Sequence, residues 1–159
     1  MLNIGESKIY DPYNVYLNTV GSDRFKYGQL HEKLKRLPEN LQDFIFDVVP
    51  GDFVKDQISI PFNLNQNQSK EVAKIVMDLV LADLYLGNVV NEIQSRLGVD
   101  GIKAQTIAGL VVIELFAPIL EDLKKIHTEK FAGAIKEQET KRKPSPQLPA
   151  QLPPPSAGP

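Results

Sequence analysis

The stretch TIAGLVVIELFAPIL, Thr106 to Leu120, is the most apolar segment of the chain and holds one carboxylate, Glu114, and one proline, Pro118. Whether it spans a membrane or fills a core decides the fold class. A spanning helix needs roughly 20 consecutive apolar residues. Here the uninterrupted runs are Ile107–Ile113 and Leu115–Leu120, with Lys103 ahead and Glu121, Asp122, Lys124 and Lys125 behind. A charge near the middle of a span costs about 2.5–3.5 kcal/mol. The stretch is therefore too short and wrongly flanked to span. As a core helix it is apolar around most of its circumference, which predicts a central helix with others packed around it. Burying its large side chains contributes on the order of 20 kcal/mol, and ordering its backbone costs a similar amount at about 1–2 kcal/mol per residue. Such a helix is stable only inside a bundle.

Working outward, Asp100 stands as the N-cap of this helix, and Asn65 with Gln68 forms a capping-box pattern at the head of another. That second helix carries Val72, Ile75, Val76, Leu79, Val80 and Leu84 on one face and reads as running on to Leu86-Gly87. A shift of 35 residues lays Leu64-Asn65 over Val99-Asp100, Val72-Ala73 over Ile107-Ala108, Ile75-Val76 over Leu110-Val111 and Val80-Leu81 over Leu115-Phe116. Periods of this size occur in helical repeats, although any two capped amphipathic helices align in this way. Asp11-Pro12 opens a first helix that Gly21 closes, and a second runs from Asp23 to Leu37 with Tyr27, Leu30 and Leu34 on its apolar face. PENLQDFIFDVV reads as a short helix with Leu41, Phe44, Ile45 and Val48 inward, followed by a turn at Pro50-Gly51. The segment 52–64 is ambiguous between helix and a short strand, with helix favoured. VVNEIQSRLG ends at Gly98, and a long amphipathic helix starts near Pro118.

The chain has 159 residues, a net charge of −2 and no cysteine, which excludes disulfides, thiol nucleophiles and thiolate metal sites. With two histidines, His31 and His127, a multi-histidine zinc site has too few ligands, and HEKLK places Lys35 where HExxH needs its second histidine. His127 is expected at the surface, on a helix rich in Lys and Glu. No glycine pattern resembles a phosphate loop and no serine sits in a nucleophile elbow. No catalytic, metal or cofactor residue is therefore assigned. Asp43, Asp47, Asp52 and Asp56 lack calcium-loop spacing and read as a solvated face, as do Asp78 and Asp83. Glu114 is the one buried-carboxylate candidate, since desolvation there would raise its pKa as in a general acid.

Three segments carry the binding readings. Tyr10, Tyr13 and Tyr16 recur every three residues, a stripe suited to a protein partner or to capping the core. Lys143, Pro146 and Pro149 fit a basic residue followed by PxxP, a ligand type for aromatic grooves. Arg24, Lys26, Lys33, Lys35 and Arg36 interleave with Phe25 and Tyr27, a nucleic-acid pattern weakened by placing Tyr27 on the packed face.

Leu37–Leu123, with LPENLQDFIFD, NLNQNQSKEVAKIVMDLVL and LGVDGIKAQTIAGLVVIELFAPIL, resembles a helical domain of small uncharacterised proteins from reduced-genome bacterial lineages. The resemblance is one of pattern over a little over half of the chain. It implies an all-helical fold and carries over no functional residue. The expectation is thus a cytoplasmic all-α protein, a compact orthogonal bundle of six to seven helices over 3–139 with a disordered proline-rich tail over 140–159. It has no transmembrane segment and no cofactor. Its expected role is non-enzymatic protein–protein interaction or scaffolding, with nucleic-acid association through 24–36 and peripheral membrane association as alternatives.

Overall fold

The structure, a computed structural model, describes residues 9–133, all-α and without a strand among them. The helices are α1 (Pro12–Val20), α2 (Arg24–Arg36), α3 (Glu39–Phe46), α4 (Val49–Phe53), α5 (Gln66–Val80), α6 (Val89–Leu97), α7 (Gly101–Gly109) and α8 (Leu120–Lys130). Two π-helical segments extend α4 through Val54–Ser59 and α7 through Leu110–Leu115. The ambiguous segment 52–64 is therefore helical as far as Ser59, which brings the helices among the described residues to eight. Pro50 lies in the first turn of α4 and is buried, so Pro50-Gly51 starts a helix instead of separating two.

Side chains fix where the helices start. The Asp11 and Asp23 carboxylates accept the amides of Tyr13 and Asn14 and of Phe25 and Lys26. Asp100 accepts the Lys103 amide at 2.7 Å. Asn65 and Gln68 cap each other reciprocally at 2.8 and 2.9 Å, satisfying two amides that no helical carbonyl can reach. Gly98, at φ 67°, supplies the left-handed residue that ends α6.

The centre of the core is α5, and this corrects the expectation for Thr106–Leu120. Helix α5 buries Ser69, Val72, Ala73, Ile75, Val76, Met77, Leu79 and Val80 and packs on α1, α6 and the Val54–Ser59 segment. By contrast α7 and its extension bury one face only, and Ile102 and Ile113 stand 79% and 68% exposed. The reason is the packing: α7 lies chiefly on α6, whereas α5 is held between α1, α6 and the Val54–Ser59 segment. From Leu110 the helix widens, the Phe116 amide bonding back to the Val111 carbonyl at 3.0 Å, five residues away. The buried positions Ala104, Ile107, Ala108, Val111 and Leu115 nonetheless keep the helical period, so the segment presents one continuous apolar face inward.

The 35-residue similarity carries through to burial. Helix α5 and α7 with its extension are both fifteen residues, and Ser69, Val72, Ala73, Val76 and Val80 are buried at the same steps as Ala104, Ile107, Ala108, Val111 and Leu115. They part where α5 has a second buried face: Ile75, Met77 and Leu79 correspond to half-buried Leu110 and Val112 and to exposed Glu114. Glu114 therefore faces outward and is no buried carboxylate.

Helix α5 ends at Val80, earlier than its apolar pattern implies, because Ala82 turns into the left-handed region at φ 58°. The turn that follows is clamped by His127, which the sequence placed at the surface. His127 is 2% exposed. Its Nδ1 accepts the Leu86 amide at 3.1 Å, so the proton is on Nε2, which donates to the Leu79 carbonyl at 2.7 Å. The rings of Tyr85 and Phe131 close over it. Burial holds the His127 pKa below its ordinary value of 6.5, the Lys130 charge adding to the effect and the Leu79 carbonyl opposing it. Asp78 and Asp83 are likewise more than a solvated face. Asp83 pairs with Lys33 at 2.9 Å and Lys130 at 3.6 Å, tying α2 and α8 to the turn after α5. Asp78 is half-buried against Arg96 at 3.0 Å, and burial raises its pKa against the opposing pull of that guanidinium.

Candidate interaction surfaces

The tyrosine stripe lies against the core. Tyr10, Tyr13 and Tyr16 are half-buried on its flank, Tyr13 meeting the edge of Phe46 at 4.8 Å. The Tyr16 hydroxyl donates to Asp83 at 3.5 Å, and burial, followed by the Asp83 and Asp78 charges, pushes its pKa up to about 12. The stripe thus packs along the flank of the bundle and is only partly open to solvent. Lys143, Pro146 and Pro149 lie outside the described residues.

Helix α2 stands out from the bundle, with only Leu30 and Leu34 buried. Arg24, Lys26, Lys33, Lys35 and Arg36 are all exposed, and among the described residues only Lys33 of these five forms an ion pair. Phe25 is 74% exposed and Tyr27 46%, which corrects the placement of Tyr27 on the packed face. Its ring instead lies 4.3 Å from that of His31. Two residues of the whole helix, Leu30 and Leu34, suffice to anchor it, so the 27/30/34 spacing overstated its apolar face. A shallow groove runs along the outer side between Arg24, Phe25, Gln29, Glu32 and Arg36, opened by Gly28. A Cβ on Gly28 would meet nothing within 4 Å, so packing does not require the glycine. In mid-helix it costs about 1 kcal/mol relative to alanine.

One exposed apolar group was missed by the sequence reading. Helix α3 stops at Phe46, Asp47 turns extended at ψ 159°, and the Val49 amide bonds the Asp47 carboxylate at 3.1 Å. The stop throws Phe46, Val48 and Val49 outward, 57%, 71% and 54% exposed, although Val48 was expected inward. One signal was available: Val48 and Val49 are neighbours ahead of Pro50, and a chain turning there cannot face both inward. Beside them lies a groove of about 260 Å³ with Phe44, Val49, Leu115 and Ile119 as its apolar walls and Asp43 and Asp47 on its rim. The carboxylates of Glu39, Asp52 and Asp56 are exposed on the same two helices and their extension.

Among the described residues no three His, Asp or Glu side chains converge as metal ligands, and no helix is long and apolar enough to cross a membrane. No protein-family model, curated protein or solved structure matches the chain.

Proposed function

We propose that this protein is a protein–protein interaction module, without catalysis of its own, that binds through the α3–α4 face. The carrying observation is the cluster of Phe46, Val48 and Val49, each more than half exposed, next to an apolar groove. A folded chain gains nothing by holding three adjacent large apolar side chains in water, and such clusters mark contact surfaces. The acidic rim at Asp43 and Asp47 selects for a basic, apolar partner segment. Affinity capture with the wild type and a Val48→Asp/Val49→Asp variant tests this reading. Loss of the captured partner with unfolding unchanged is expected, and identical partners would sink it. Truncation before Lys141 separates the face from the tail, because recruitment by Lys143, Pro146 and Pro149 would disappear with the tail alone.

Nucleic-acid association through α2 is the second reading, favoured by one observation. Phe25 and Tyr27 are exposed beside Arg24, Lys26, Lys35 and Arg36, the pairing of stacking ring and phosphate-binding cation that single strands need. Retention on DNA should then fall by a log–log slope of about −0.7 to −0.9 per phosphate contact as salt rises. Retention indifferent to salt, or unchanged by Phe25→Ala, overturns it. Peripheral membrane association through α8 gains no such support, since Leu123 and His127 of that helix are buried in the core.

A further inference from the structure

The α3–α4 face and α2 are complementary in both of the properties that define them. One offers an apolar groove with Asp43 and Asp47 on its rim and no cation among its lining residues. The other offers Phe25, three-quarters exposed, between cations that have no ion pair among the described residues. They cannot meet within one molecule. Phe25 is at the far end of α2 from the Leu37-Pro38 link to α3, and a 13-residue helix is about 20 Å long. Leu30, Leu34 and the Lys33–Asp83 pair hold that helix on the body.

Resting on the reading of the α3–α4 face as a binding surface, we infer that its occupant is helix α2 of a second copy of this chain. Phe25 enters the groove beside Phe44 and Val49, and Arg24 and Lys26 meet Asp43 and Asp47. Gly28 lets the neighbour's backbone come close to α2, which accounts for a mid-helix glycine that nothing inside the fold requires. The contact is heterologous, one surface meeting a different one, so each molecule both donates a helix and accepts one.

Sedimentation of the full chain from micromolar to sub-millimolar concentration tests the inference. The mass should rise with concentration, and association should weaken at least tenfold between low and high salt, because the rim pairs are exposed. Phe25→Ser and Val48→Asp should each abolish association alone. Mixed, they should recover a heterodimer, since one variant keeps the groove and the other keeps α2. Both positions are more than two-thirds exposed, so folding is retained, and the salt response of the unaltered chain needs no variant at all. A monomer at every concentration overturns the inference, as does a mixture that recovers nothing or two variants that still self-associate. A monomer that nonetheless captures a partner in a Val48-dependent way overturns self-association and leaves the α3–α4 reading standing. A monomer that captures nothing overturns both.

Discussion

Acid should loosen this fold through His127 before it protonates most carboxylates. The side chain is 2% exposed and both ring nitrogens are engaged, Nδ1 as acceptor from Leu86 and Nε2 as donor to Leu79. A second proton on Nδ1 would turn an acceptor into a donor facing the Leu86 N–H, within reach of the Lys130 charge. The folded-state pKa is therefore depressed below the ordinary 6.5. The unfolded chain takes up the proton as pH falls through that value and the folded chain does not. Stability is thus fully present above the unfolded value and is lost below it, by up to about 1.4 kcal/mol per pH unit until the folded value is reached. Between pH 7.5 and 5.5 the loss has an upper limit of about 1.4 kcal/mol, reached if the folded chain takes up no proton at all, which is at most a few degrees in Tm. Asp78 acts in the opposite sense, its raised pKa favouring the folded state as it protonates, but from an ordinary value of 3.8 it works mainly at lower pH. Urea unfolding followed by circular dichroism at the two pH values, for the wild type and His127→Gln, makes the comparison. Glutamine offers one donor and one acceptor and does not titrate in this range. A slope in the wild type that Gln flattens is expected. Equal slopes in the two proteins would refute the latch as a titrating element.

Other substitutions read the packing. Phe116→Ala should cost about 3–5 kcal/mol, whereas Ile113→Ala and Glu114→Gln, three and two residues away and exposed, should stay within about 0.5 kcal/mol in the same urea titration. Gly28→Ala should stabilise the protein by about 0.5–1 kcal/mol, with the m-value unchanged, while weakening whatever binds α2. Asp83→Asn releases the partly exposed Lys33 and Lys130 and should cost no more than about 1 kcal/mol, a difference that shrinks in molar salt.

The fold class and the helix starts were legible because they are written in local chemistry. Asp11, Asp23, Asn65 with Gln68, and Asp100 cap where their spacing to the following amides allows, and Gly98 ends a helix because it alone reaches that φ without strain. The location of the centre was not legible. The most apolar segment is one-sided because α6 is its main partner, and α5, with more polar residues, is wrapped on two faces by α1 and α6. His127 was misplaced for a related reason. Its helix is charged on either side of it, and only the carbonyl of Leu79 and the amide of Leu86, both far away in sequence, make a buried imidazole affordable. The α3–α4 face stayed hidden because an apolar residue is read as core until the chain is seen to turn, here at Asp47.

The central claim is that the α3–α4 face is a contact surface. Amide hydrogen exchange on the protein alone at low concentration and in its assembled state, with a second copy or a captured protein, tests it most directly. The account predicts new protection confined to residues 39–52 and 115–119, joined by 24–29 when the partner is a second copy. Protection elsewhere with that face still exchanging freely would contradict it.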